Sequence, residues 1–304
     1  MNISDIFGSD LHYRLRRAGI CLRTGPFVVH LKTALPTIAN AVGVLYKDFC
    51  CDFSSFADFH VSVSRPRNFR RWWRPQVVCY LNDESPFTPL PADQSFIAFE
   101  SLLNWSIYSR VYNFLIIHAA AVERAGFAVI LPAPPGSGKS TLCAALASRG
   151  WRLLTDELTI IDLDSGLVVP MPRPISLKNE SIDIMQAFAP KEMFGEKTHG
   201  TVKGTIAHMR PPTESVLRMH NLVPPRWIIF PTYRAGALTT TDYLGKGGTF
   251  MRLSGGLVNY PVLGARGFDT LTRLIDQTDC YDFTYSELND AVAWFNALSL
   301  QRKA

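Results

Sequence analysis

The strongest constraint on this chain is one continuous block, residues 127–163. An apolar run, Phe127 to Leu131, leads into Ala133-Pro134-Pro135-Gly136-Ser137-Gly138-Lys139-Ser140-Thr141. Ser140 to Ser148 follows, rich in good helix formers, and Gly150 stops it. Trp151 to Leu154 and Leu158 to Leu163 are again apolar and strand-like. Strand, glycine-rich turn, helix, strand is the order that an α/β nucleotide-binding domain requires.

The turn itself reads as G-x-x-x-x-G-K-[ST], a P-loop, with Ala133 in place of the first glycine. Gly136 and Gly138 let the backbone bend so that successive N–H groups face one anion. The helix beginning near Lys139 adds the positive end of its dipole. Pro134 and Pro135 donate no N–H, so the cradle comes from Gly136, Ser137, Gly138, Lys139, Ser140 and Thr141. Lys139 suits the β- and γ-phosphates of ATP, and the Ser140 hydroxyl suits Mg²⁺. The competing reading is a chance glycine-rich turn; the apolar strand before it and the helix after it argue against that.

Asp156 and Glu157 break the strand pair that follows the helix. Charge beside apolar strands is costly unless it meets water, a cation or a partner. A strand end next to such a loop is where a base or a magnesium-ordering carboxylate belongs, the alternative being a solvated turn. His118 lies in the apolar run Leu115 to Val122. On sequence alone it is either a hydrogen-bonded core histidine or a group serving phosphate chemistry.

The remaining segments divide the chain near residue 95, with residues 1–95 as a small α+β module and 96–304 as the core. In the first part, Gly19 to Lys32 reads as two strands around Thr24-Gly25-Pro26, and Ala34 to Tyr46 as a helix. Phe56 to Ser64 and Gln76 to Leu81 are strand candidates, and Glu84 to Asp93 a linker or long loop. Phe96 to Leu115 has helical spacing. Later, Arg226 to Phe230 reads as a strand, and Leu271 to Asp276 and Ser286 to Leu300 as helices, the last outside the sheet.

Several of these residues together resemble HPr kinase/phosphorylase. That family has a strand with His-Gly, then the P-loop, then Arg-Gly-His-Arg-Leu leading into an Asp-Asp pair. Here the order is His118-Ala119, the P-loop, Arg149-Gly150-Trp151-Arg152-Leu153 and Asp156-Glu157. The chain is similar in particular to the branch called HprK-related kinase A, through GPFVVHL, WRPQV, PLPADQ, LNW, PRPISLKNESID, KGTIAHMRPP, FPTYRAGA and NYPVLGARGFD. The resemblance implies an α/β fold with a PEP-carboxykinase-like P-loop core, and phosphoryl transfer to a serine hydroxyl. It implies Asp156 as proton acceptor, with Lys139 on the phosphates and His118 orienting Asp156 or the acceptor. It further implies Glu157, Asp156 and Ser140 as Mg²⁺ ligands, and Lys203 as a cation at the transferring charge. Lys203 is otherwise a loop lysine, and Lys178 reads better as a surface lysine than as a phosphate contact. Thr201 stands where the family's second signature has a glutamate, which argues against reverse phosphorylase activity and against HPr as substrate. The family setting implies a peptide or protein acceptor, with a PqqD-like peptide-binding partner. HPr kinases are hexamers, but no residue here specifies such a contact.

Composition narrows the rest. A net charge of +5 and a pI of about 8.9 favour acidic ligands without arguing for nucleic acid. The six cysteines include no C-x-x-C pair, so neither zinc nor redox chemistry is indicated, and a reducing cytoplasm is the simplest compartment. The N-terminal residues lack a signal-peptide h-region, and no apolar run reaches membrane-spanning length. Arg65, Arg67, Arg70, Arg71 and Arg74 surround Phe69, Trp72 and Trp73. Docking on the core ranks first for that stretch, a protein or peptide partner second and nucleic acid third. Two rival functions stand beside the kinase: a nucleotide-binding regulatory module without turnover, and a nucleic-acid-dependent ATPase.

Overall fold

The computed structural model describes residues 1–6, 8–53, 56–66 and 73–300. Most of the arginine–tryptophan stretch, residues 67–72, lies outside them. Among the described residues the architecture is mixed α/β, with three sheets.

The chain opens with helix α1 (Gly8–Arg16) and the hairpin β1 (Ile20–Thr24) and β2 (Phe27–Thr33). Gly25 turns that hairpin at φ 60°; a Cβ there would lie 2.4 Å from the Pro170 carbonyl oxygen, so only glycine fits. Helix α2 (Pro36–Leu45) starts on a proline, whose missing N–H costs nothing in a first turn. Strands β3 (Cys51–Asp52), β4 (Phe59–Ser64), β5 (Gln76–Leu81) and β6 (Leu90–Pro91) follow, then helix α3 (Ser95–Arg110). The first sheet runs β3-β1-β2-β4-β5-β6, with β2 and β4 parallel. The segment read as a linker, 84–93, thus contributes a short edge strand. Helix α3 stops at Arg110, not Leu115, because Phe114 and Leu115 pair with Asp162 and Ile161 of a strand.

That strand is β7 (Phe114–Arg124), which turns back at Ala125-Gly126 into β8 (Phe127–Pro132). Helix α4 (Lys139–Ser148) leads to β9 (Arg152–Thr155), β10 (Leu158–Asp162) and β11 (Val168–Val169). Next come β12 (Ile175–Lys178), helix α5 (Glu180–Phe188), β13 (Thr198–Thr201), β14 (Gly204–Met209) and the short helix α6 (Thr213–Leu217). The chain ends with β15 (Pro225–Tyr233), β16 (Thr240–Tyr243), helix α7 (Lys246–Ser254), helix α8 (Tyr260–Asp276), β17 (Asp279–Tyr285) and helix α9 (Leu288–Leu300). The large sheet has the order β11-β10-β7-β8-β15-β17-β16, with β9 also on β7. Its parallel pairs are β8–β15 and β15–β17. Strands β12, β14 and β13 form the third sheet.

The period of two along β7 decides what faces the site. Leu115, Ile117, Ala119 and Ala121 point into the core shared with α7 and α8. Ile116, Ala120 and Val122 point the other way, so His118 shares the face that carries α3 and α4. On that face Ala120, Val122, Val129 and Leu131 pack on α4 and α9, each large side chain contributing roughly 1.5–3 kcal/mol by burial. Helix α3 packs on the first sheet: Ala98, Phe99, Leu102, Leu103 and Ile107 share one core with Leu22, Val61 and Val63, and also with Ile116 and Ile160 of the large sheet. The two sheets therefore meet through a common apolar core to which α3 contributes.

Candidate functional site

Strand β8 delivers the chain to Pro132, and α4 begins seven residues later. Between them the Pro134 carbonyl accepts the Ser137 N–H at 3.3 Å, turning the backbone. Gly136 and Gly138 have φ of 85° and 84°. At Gly138 space is a second constraint, since a Cβ would lie 2.6 Å from the Tyr285 hydroxyl and 2.9 Å from Tyr233 Cβ. Tyr285 donates to the Gly138 carbonyl at 3.1 Å, and the Tyr233 N–H donates to the Ser137 carbonyl at 3.0 Å. Ala133 does not take a positive φ, so it carries no left-handed strain. The Leu142 N–H bonds the Gly138 carbonyl at 2.9 Å. The N–H groups of Lys139, Ser140 and Thr141 precede it at the open, electropositive end of the helix.

Asp156 and Glu157 occupy the turn between β9 and β10, beside this helix end. Buried Lys139 donates through Nζ to the Asp156 carbonyl at 2.9 Å. Asp156 is itself buried, and Oδ2 accepts the Ser176 N–H at 3.2 Å. Its Oδ1 is buried with no partner. Burial raises the Asp156 carboxyl; Lys139 pulls it down and neighbouring Glu157 pushes it up again. Glu157 moves the other way. Burial raises it, but Arg173, Lys139 and His118, with the Asn104 amide at 2.7 Å, hold it below the usual carboxylate range. Two adjacent carboxyls driven apart in this way suit a proton acceptor beside a fixed anion.

The facing wall comes from distant parts of the chain. Helix α3 supplies Glu100 and Asn104. The strand into the third sheet supplies Arg173 and Lys178, and the β13–β14 turn supplies Lys203. Arg173 pairs with Glu100 at 3.3 Å and donates to the Asn104 carbonyl. Burial and the Lys139 charge lower the His118 imidazole, while Glu157 pulls it back up. Buried His208 is pushed down to about 4, chiefly by desolvation. Burial and the nearby Lys203 charge lower the Lys178 ammonium. One cleft of about 1230 Å³ brings together Gly136 to Thr141, His118, Asp156, Glu157, Lys178 and Lys203.

Among the described residues no group of three or more His, Cys, Asp or Glu side chains is arranged to hold a metal alone. Mg²⁺ usually takes one or two carboxylates and leaves its other positions to phosphate and water. The partnerless Oδ1 of Asp156, with Ser140 lining the same cleft, fits that donor set.

No family model matches the chain, and no curated protein matches it. Among solved structures it is similar to the Hpr(Ser) kinase/phosphatase from Coxiella burnetii, at 12% identity over 61% of this chain and 97% of that one, with a TM-score of 0.27.

The Arg149-to-Leu153 motif stays outside the cleft and anchors β9. The Arg149 guanidinium lies 3.9 Å from the centre of the Phe188 ring. Trp151 donates to Asn296 at 2.9 Å, and Arg152 pairs with buried Glu123 at 3.4 Å. Glu100, Asn104, Arg173 and His208 were not singled out by sequence reasoning. Asn104 lies in LNW and Arg173 in PRPISLK, so a signal existed, but a role needs the contacts. Trp73, at the edge of the arginine–tryptophan stretch, is exposed. Among the described residues no helix is long and apolar enough to cross a membrane.

Proposed function

We propose that this chain is an ATP- and Mg²⁺-dependent kinase, similar to HPr serine kinase, that transfers the γ-phosphoryl group to a serine or comparable hydroxyl of a protein or modified peptide. One observation carries the reading: the open end of α4 and the buried Lys139 ammonium meet a partnerless, buried Asp156 oxygen in one cleft. A P-loop supplies the first pair of features and a catalytic carboxylate the third.

In this reading the acceptor hydroxyl oxygen bonds to the γ-phosphorus. The bond from that phosphorus to the β–γ bridging oxygen breaks, releasing ADP. The hydroxyl proton passes to the Asp156 carboxylate, whose raised affinity for protons suits a base. Lys139 commits one N–H to the Asp156 carbonyl and keeps two for phosphate oxygens. Ser140, Asp156 and Glu157 are the residues that would hold Mg²⁺, which when bound neutralises charge on the β- and γ-oxygens. His118 orients Asp156 or the acceptor, and Lys203 adds a second cation from the β13–β14 turn. A PqqD-like protein is the partner we propose for presenting a peptide acceptor.

The test is phosphoryl transfer from γ-labelled ATP with Mg²⁺ to candidate peptides and proteins. Asp156→Asn should lower transfer by about 10²–10⁴-fold while ATP still binds. Lys139→Ala should cost about 10²–10³-fold. Tight ATP binding with no label on any acceptor would instead favour the regulatory module.

A further inference from the structure

One cleft carboxylate is tied to the centre of the other sheet's core by an unbroken series of side-chain hydrogen bonds. Tyr46, at the end of α2, is fully buried and donates to Glu100 Oε1 at 2.5 Å. The other Glu100 oxygen lies 3.3 Å from Arg173 Nη1. Arg173 Nη2 donates to Asn104 Oδ1, and Asn104 Nδ2 donates to Glu157 Oε2 at 2.7 Å. Glu100 and Arg173 are themselves buried.

The series has a direction set by donor inventory. A guanidinium only donates, so Asn104 must turn its carbonyl toward Arg173. Its amide NH₂ then faces Glu157, which can answer only as an acceptor. Each link therefore fixes the orientation of the next, and the last fixes a group in the cleft. The arrangement is poorly suited to stability alone. It confines two carboxylates and one guanidinium where apolar side chains would pack at less cost, and Arg173 Nε has no partner.

We propose that Tyr46, Glu100, Arg173 and Asn104 are positioning residues that set the Glu157 carboxylate in the cleft, which makes the N-terminal sheet a working part of the site. The proposal rests on the kinase reading for its consequence, not for its geometry.

The experiment compares Asn104→Ala, Tyr46→Phe, Glu157→Gln and the double variant Asn104→Ala/Glu157→Gln, with folding checked by melting. Asn104→Ala should lower kcat by about 10–100-fold and leave KM for ATP unchanged, the scale typical of lost outer-shell partners. Tyr46→Phe, which keeps the ring packing, should show the same split more weakly. Adding Asn104→Ala to Glu157→Gln should cost nothing further, because both act on one group. A folded Asn104→Ala with wild-type kcat would overturn the proposal, as would losses that simply multiply in the double variant. If wild type binds ATP but transfers to nothing, the kinase reading falls and the positioning chain is still tested. Calorimetry would then compare ATP affinity with and without Mg²⁺: a Mg²⁺ increment blunted in Asn104→Ala supports the chain, and an unchanged one overturns it. A wild type that binds no nucleotide overturns both.

Discussion

The two walls of the cleft are held in different ways. The loop wall is contiguous, residues 133–141, and besides Lys139 and Ser140 its working groups are backbone N–H donors. The loop is steadied by two neutral contacts, Tyr285 on the Gly138 carbonyl and the Tyr233 N–H on the Ser137 carbonyl. The facing wall draws on α3 and the third sheet, and it is held by charged side chains out of water. A neutral hydrogen bond contributes modestly and can be lost cheaply; a buried charge that loses its partner cannot. The first wall should therefore tolerate the loss of a contact, and the second should not.

The largest expected effect exploits that contrast. Arg173→Ala leaves Glu100 buried without its cation, which should cost about 3–5 kcal/mol of unfolding free energy in urea titration. Tyr285→Phe removes one neutral bond from the loop wall and should cost only about 0.5–1.5 kcal/mol. The Arg173→Ala deficit should shrink in acid. Burial already raises the Glu100 carboxyl, and without Arg173 it would protonate more readily still. Equal costs for the two variants would break the comparison.

This contrast also explains what was legible in the sequence. The loop wall was readable because its signal is local: Gly136, Gly138, Lys139 and Ser140 lie within one turn, and strand and helix flank them. Asp156 and Glu157 could be noticed as charge interrupting apolar strands. His118 could be noticed but not interpreted, because only the alternation along β7 shows that it shares a face with Ile116 and Ala120. Glu100, Asn104 and Arg173 were illegible for a physical reason. Glu100 and Asn104 sit in a helix read from its spacing alone, where a carboxylate and an amide are ordinary surface residues. Nothing local says that Arg173, some seventy positions on, will meet them. Helix α3 itself was recognised, but not that it packs on the first sheet, since an apolar stripe does not name the surface it covers.

His208 sharpens the comparison from within the charged wall. It is buried against the edge of Phe96, and desolvation holds its imidazole near 4 against an ordinary 6.5. The unfolded chain binds more protons than the folded one between those values, so stability rises with pH across that window. Acidifying from about 6.5 to about 4 should therefore remove about 3 kcal/mol through this residue. His208→Gln should flatten that part of the pH profile of unfolding. A variant whose profile overlays wild type would mean that His208 charges in the folded state.

The glycines of the loop wall differ from each other in a way that can be measured. Gly136 and Gly138 share a positive φ, but only at Gly138 would a Cβ meet other atoms. Gly138→Ala should cost about 1–3 kcal/mol and shift Tyr285 and Tyr233, weakening nucleotide binding. Gly136→Ala, in open space, should pay the backbone strain alone and lie at the lower end of that range. Nucleotide titration with urea unfolding of both variants separates strain from collision.

The smallest effect belongs to Lys203, where the facing wall is least like the rest of itself. Lys203 is exposed in the turn between β13 and β14, and among the described residues no ion pair involves it. Its backbone N–H donates to the Thr201 hydroxyl, which in turn bonds the Gly204 carbonyl, so the turn holds its shape without the lysine side chain. Lys203→Ala should therefore leave stability within about 0.5 kcal/mol of wild type. If Lys203 acts on transferring charge, kcat should still fall, on the order of 10-fold, with the melting temperature unmoved. If the variant instead matches wild type in both, the charged wall acts through its buried members alone, and the turn above it only closes the cleft.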